Sequence, residues 1–157
     1  MQIERESGRI LELGYGTGFY AEVLAELGYE NYLGVDISDT HVERLEKSNP
    51  KYKGKFQKLD VGSEPLDWGE CDLVFMIDVS QHIVNEQKLT FCLQRNVKHN
   101  LKNDGFFIVT DSLSGRKYSF YEVGRSVEFY REALQLDLLH KPIQFRDKFI
   151  FSFVNRR

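Results

Sequence analysis

A chain of 157 residues has the length of one domain, and 41% hydrophobic with 29% charged residues is the composition of a globular protein. The formal charge of −3 offers no general attraction to nucleic acid or to acidic membranes, which disfavours both as partners. No apolar run reaches the ~20 residues needed to cross a bilayer, the charged start MQIERESGR is unlike a secretory leader, and Cys71 and Cys92 lack metal-ligand spacing, so the expectation is a cytoplasmic protein with no metal, reduced buried cysteines and a single domain over residues 1–157.

In chain order the hydrophobic period alternates between that of a strand and that of a helix. RILELG (Arg9 to Gly14) predicts a short strand. GFYAEVLAELGYE places Phe19, Val23, Leu24 and Leu27 at helical spacing and stops at Gly28, and NYLGVDIS (Asn31 to Ser38) is again strand-like. Ser38 or Asp39 is positioned to cap a second helix that runs through Val42 and Leu45 and ends before Pro50. The strand KFQKLDV (Lys55 to Val61) follows, and after the turn-rich GSEPLDWGE comes CDLVFMIDV, a nearly continuous apolar run suited to the centre of a parallel sheet. A helix from about Glu86 to Leu101, a turn at Asn103-Asp104-Gly105 and the strand GFFIVTD complete another helix-to-strand step. Beyond a polar, aromatic connection, SVEFYREALQL has helical period, and LDLLHKPIQFRD with KFIFSFVNRR predicts a terminal hairpin. The alternation predicts an α/β, doubly wound, mainly parallel sheet with an antiparallel strand at its end.

The stretch LELGYGTGF sets Gly14, Gly16 and Gly18 at every second position behind the first strand. Such a turn aims backbone N–H groups at a ligand, and Gly16 and Gly18 would remove side chains that block its approach. The second strand ends in Asp36, about 20 residues on, where a carboxylate accepts hydrogen bonds from ribose hydroxyls. Together these features point to a nucleoside cofactor. Glycines also serve tight turns for steric reasons alone, and Asp36 could instead cap the following helix.

At these residues the chain resembles the class I S-adenosylmethionine-dependent methyltransferases. The matching stretches are ELGYGTG (Glu12 to Gly18), GVDIS (Gly34 to Ser38), KLDV (Lys58 to Val61) and CDLVFMIDVSQHI (Cys71 to Ile83), and the likeness extends over nearly the whole chain. It implies a Rossmann-like sheet of seven strands with helices on both faces, the terminal hairpin supplying the antiparallel seventh strand. It implies S-adenosylmethionine as cofactor, with Glu12 and the backbone of Gly14, Gly16 and Gly18 around its amino-acid end. Asp36 would then hold the ribose and Asp60 would accept from the adenine amino group, unless Asp60 merely caps its turn. Val61 would flank the adenine, and Tyr15 and Ile37 join the cofactor-binding set. Only about eight residues precede the first strand, whereas this family usually places helices there. The expectation is that the family's N-terminal cap helices are largely absent, so that the acceptor pocket is open, is covered by a homodimer mate or a partner chain, or belongs to a core lacking its cap.

The end of the fourth strand carries Asp78 and His82, the candidate catalytic residues. An imidazole titrates near neutral pH and suits a base or an acceptor contact, while Asp78 could orient the acceptor or the methionine end of the cofactor; loop-fixing roles remain open for both. Neither an Asp/Asn-Pro-Pro-Tyr motif nor a Pro-Cys nucleophile occurs, which adds to the case against nucleic acid. Lys51, Lys53, Lys55 and Lys58 could meet phosphate but equally form a solvated sheet edge. Residues 111–125, with Arg116, Lys117, Tyr118, Tyr121 and Arg125, suit an anionic or ring-bearing small molecule, or are an ordinary loop. The expectation is methyl transfer to a small-molecule acceptor, with oxygen preferred. A catalytically weak cofactor-binding subunit is the second reading. A nicotinamide-dependent dehydrogenase is the third, disfavoured because none of the eight tyrosines has a lysine four residues later.

Overall fold

Alternation of side chains along the central strands divides them between two cores. The structure, a computed structural model, describes residues 3–113, 115, 117 and 119–156. Strands β1 (Arg9–Leu13), β2 (Asn31–Asp36), β3 (Phe56–Lys58), β4 (Cys71–Met76) and β5 (Leu101–Asp111) are parallel to their neighbours. The antiparallel β8 (Lys148–Val154) closes on β5, and the sheet runs β3-β2-β1-β4-β5-β8-β6, with β6 being Asp137–Leu138. β4 therefore lies at the centre, as its apolar run predicts.

Leu11, Leu13, Leu33, Val35, Val74 and Met76 face α3 (Glu86–Cys92) and α4 (Val127–Leu134), packing with Leu89, Cys92, Tyr130 and Leu134. Ile10, Tyr32, Phe56, Leu73 and Phe75 face the other way, with Ala21 of α1 (Phe19–Glu26) and Leu45 of α2 (Val42–Ser48). Each such fully buried Leu, Ile or Phe contributes roughly 1.5–3 kcal/mol against the entropy of ordering the chain. The doubly wound arrangement is the predicted one.

Several boundaries depart from the sequence expectation. His41 takes the N-cap position of α2 without a side-chain bond, rather than Ser38 or Asp39. Phe19 and Leu27 are exposed, because the short α1 buries only Ala21 fully. β3 ends at Lys58, so Asp60 and Val61 stand on a turn beyond the strand. The third helix gives way to a π-helical turn over Leu93–Lys98, and β5 begins at Leu101. The expected turn at Asn103-Asp104-Gly105 is instead an irregularity within β5, with Asp104 left-handed at φ 59°. The expected second-last strand is broken at Leu139 to Pro142, leaving β6 and β7 (Ile143–Phe145) as separate partners of one edge of β8. The sheet thus holds eight strands.

Two buried asparagines fasten the segment that leads to the site. Asn96 accepts from the N–H of Leu66 and donates to the carbonyls of Val61 and Glu64. Asn100 accepts from the N–H of Trp68 and donates to the carbonyl of Leu66. Buried amides so fully engaged hold an otherwise irregular stretch in place without leaving polar groups unpaired. Cys71 and Cys92 are free and buried, as expected.

Candidate functional site

The carboxyl ends of β1, β2 and β4 open into a cavity of about 740 Å³, in the range of small-molecule sites. Glu12, Gly14, Tyr15, Gly16, Asp36 and Ile37 line one side of it; Asp60, Val61, Asp78 and His82 line the rest. Every predicted site residue is thereby brought together except Gly18, which does not line the cavity.

The three glycines do different work. All have positive φ, at 88°, 50° and 83° for Gly14, Gly16 and Gly18. A Cβ on Gly14 would come within 2.3 Å of Val79, and one on Gly18 within 2.1 Å of Leu45, so those two admit close packing of neighbouring protein. A Cβ on Gly16 would meet no protein atom within 4 Å. The open wall at Gly16, beside the carboxylates, is the part of the turn that fits a ligand.

Asp36 holds that turn in shape: its carboxylate accepts from the N–H of Gly16 and of Ser38, both at 2.9 Å. Each oxygen keeps a lone pair for a further donor, which suits ribose hydroxyls. The Tyr15 hydroxyl donates to the Ser38 carbonyl at 2.8 Å, and its ring sits edge-on to Phe56 at 5.3 Å. The Tyr15 hydroxyl is thereby engaged with protein. Ile37, 67% exposed, offers an apolar surface at the rim where a flat base could lie.

Glu12 is 2% exposed and accepts a 2.5 Å hydrogen bond from the Tyr32 hydroxyl. Burial pushes its carboxyl up to about 8, the Tyr32 bond opposing this and the nearby Asp36 charge adding to it. Asp60 accepts from the N–H of Gly62 at 3.0 Å and from the Ser63 hydroxyl at 2.6 Å, with the Lys88 ammonium 3.7 Å away. The Ser63 bond above all keeps its carboxyl below the usual range, against a smaller desolvation effect. Asp60 thus caps its own turn while facing the cavity.

At the other end, the short helical turn Ser80–His82 presents the His82 ring, whose Nδ1 lies 3.9 Å from Glu122 Oε1. Asp78 is left-handed at φ 58° and is tied by the Lys148 ammonium at 2.8 Å, with Arg146 at 3.6 Å. Its N–H donates to the Thr110 hydroxyl. A carboxylate so engaged acts by orienting its surroundings, since its lone pairs and charge are already met by the β7–β8 hairpin.

Arg125 departs from the expected role in recognising a substrate. It is 5% exposed, and its guanidinium donates to the carbonyls of Val123, Ile83 and Val84 at 2.6, 2.9 and 3.1 Å. It clamps the loop after β5 to the loop that carries His82. Asp111, buried beneath, accepts from Tyr130, Ser80 and the N–H groups of Ser112 and Arg125. Desolvation raises its carboxyl despite those donors. Tyr121 is exposed and Lys117 pairs with Val123 in an isolated bridge, while Arg116 and Tyr118 lie outside the described residues. Of the lysine cluster, Lys51 donates to the carbonyl of Ala25 at the end of α1, and Lys58 stands 3.9 Å from Asp39.

Tyr20, Lys88 and Tyr32 escape the sequence reading. Tyr20 and Lys88 line the cavity from the first turns of α1 and α3. Position just after a glycine turn is the only signal that marks Tyr20 in advance. Tyr32 reads simply as a strand residue, and only the fold brings its hydroxyl to Glu12.

The family model described as a methyltransferase domain matches residues 11–109. A highly reducing polyketide synthase from Aspergillus terreus is 31% identical over 108 residues, which cover 66% of this chain and 4% of that protein. A nonribosomal peptide synthetase from Metarhizium robertsii is 33% identical over 131 residues, 78% of this chain and 2% of that protein. The chain therefore spans only a few per cent of these relatives. Among solved structures, an S-adenosylmethionine-dependent methyltransferase from Mesorhizobium loti superposes with a TM-score of 0.77 at 16% identity, covering 98% of this chain and 94% of that one. The glycine turn, the acids that follow it, the strand order and the extent of these matches agree: the chain belongs to the methyltransferase domain family, in its class I, S-adenosylmethionine-dependent form.

Proposed function

We propose that the chain transfers a methyl group from S-adenosylmethionine to a small-molecule acceptor, and that the acceptor atom is an oxygen. The observation that carries this reading is the single cavity that joins the Gly16 wall and three carboxylates at one end to His82 at the other. Glu12 and the turn backbone would hold the amino-acid end of the cofactor, Asp36 the ribose, and Asp60, Val61 and Ile37 the adenine. Bound S-adenosylmethionine supplies an electrophilic methyl group with a neutral thioether as leaving group, so the protein's task is chiefly alignment.

His82 takes the proton of an acceptor hydroxyl, and Glu122 steadies the imidazolium that results. That pairing favours oxygen, because a neutral amine needs no base in order to attack. Asp78, held by Lys148, orients the acceptor. The matched relatives are a polyketide synthase and a peptide synthetase, which fits a small-molecule acceptor.

Calorimetric titration with S-adenosylmethionine and, separately, with reduced nicotinamide dinucleotides tests the cofactor. Binding of the sulfonium alone, in the micromolar range at about −8 kcal/mol, is expected; nicotinamide binding would revive a dehydrogenase. Methyl-labelled cofactor offered to hydroxyl and amino acceptors then tests the acceptor atom. Label that appears only in amines would overturn the assignment of oxygen.

A further inference from the structure

Glu12 occupies an unusual position for a group that is to meet a cation. Its carboxyl lies almost wholly out of water at the cavity wall, and the one hydrogen bond it receives among the described residues comes from a neutral phenol, Tyr32. No basic side chain pairs with it among the described residues. Each group that faces it is acidic or phenolic. From β2 come Tyr32 and Asp36; from α1, Tyr20, whose own proton is held more tightly partly by Glu12; Tyr15 of the glycine turn stands near Tyr32. Behind Tyr32 stands Tyr52, stacked on it at 4.7 Å. Asp78, near Tyr20, is already satisfied by Lys148 and Arg146.

Tyr32 is itself fixed. Its ring is fully buried between Tyr52 and Phe56, and Gly34 leaves the space its hydroxyl needs, since a Cβ there would lie 2.4 Å from that oxygen. The phenol is thereby held against Oε2 of Glu12, while Oε1 has no hydrogen-bond partner among the described residues.

Resting on the reading of the cavity as the cofactor site, we propose that Tyr32 is a positioning residue that holds Glu12 so that it exchanges its proton for the cofactor's ammonium group, making cofactor capture release a proton. Before binding, the carboxyl is mostly protonated at neutral pH, because burial among other acids opposes its charge. An ammonium placed at Oε1 reverses that balance and the proton passes to solvent. Tyr32 stabilises the carboxylate so formed by donating to its other oxygen. Cofactor affinity therefore rises with pH toward about 8.

Calorimetry at pH of about 7, in two buffers of different ionisation enthalpy, counts the protons released on binding S-adenosylmethionine. The Glu12→Gln variant supplies the count that belongs to the cofactor's own amine. Wild type is expected to release close to one proton more than Glu12→Gln. Equal counts, with the cofactor bound in both, would overturn the inference and leave the cofactor site standing. Wild type that binds no S-adenosylmethionine at any pH would overturn the site and the inference together.

Tyr32→Phe separates positioning from packing. Its affinity for S-adenosylmethionine is expected to fall about tenfold, while affinity for methylthioadenosine, which lacks the amino-acid end, stays within twofold. An equal loss for both ligands would make Tyr32 merely structural and overturn its role.

Discussion

At the residue scale, the same burial that keeps Glu12 protonated also bears on stability. Its carboxyl ionises near 4.5 in an unfolded chain and near 8 in the folded one. The folded state thus binds the proton more tightly, and the stability this contributes is complete below about pH 4.5 and is lost as pH rises through about 8. Denaturant unfolding of wild type is expected to weaken by a few kcal/mol more across that window than unfolding of Glu12→Gln, in which the titration is absent. Parallel pH profiles would show that Glu12 is ionised throughout. His82 makes a contrasting case, since its ring is half exposed and its contact with Glu122 is long at 3.9 Å. His82→Ala is expected to lower kcat by roughly 10²-fold with cofactor affinity within twofold; normal turnover would make the ring structural. Both residues were visible as candidates in the sequence, because motif position alone marks them. Tyr32 and Glu122 were not, since a hydrogen bond or ion pair between distant strands and loops leaves no local pattern.

The glycine turn shows what an element adds to its residues. In the sequence the three glycines look alike, and ligand approach is expected at Gly16 and Gly18. The fold separates them, because α2 brings Leu45 against Gly18 and the β4 loop brings Val79 against Gly14, while Gly16 faces the cavity. Gly14→Ala, with its Cβ 2.3 Å from Val79 at φ 88°, is expected to destabilise the fold by roughly 2–4 kcal/mol. Gly16→Ala is expected to cost ~1 kcal/mol for its left-handed backbone yet to lose cofactor affinity disproportionately. Denaturant midpoints and cofactor titrations on the pair separate the two effects. Equal losses of stability with unchanged affinity would remove Gly16 from the site. Arg125 teaches the same lesson, for its place in a polar, aromatic stretch suggested a ligand contact. Its side chain instead closes on backbone carbonyls of the loop carrying His82.

At the scale of the whole molecule, Cys71 and Cys92 lie fully buried, in β4 and at the end of α3 against it, and desolvation pushes both thiols up to about 12. A thiol reagent at neutral pH is therefore expected to react only after the core opens, at rates that follow the unfolding equilibrium. Rapid labelling of the native protein would mean that this core opens locally. The succession of strands and helices along the chain, the central position of β4, and the place of Glu12 and Asp36 in the last residues of β1 and β2 were determined by the sequence itself. Hydrophobic period and glycine turns are local properties, and they read directly into elements. Only the tertiary structure decided where β5 begins, why β6 and β7 divide, which glycine leaves room for a ligand, and that a buried phenol stands behind Glu12. Those outcomes depend on which side chains meet across the sheet, on how many atoms share a given space and on the loss of water around a charge, and none of these is a property of neighbours along the chain.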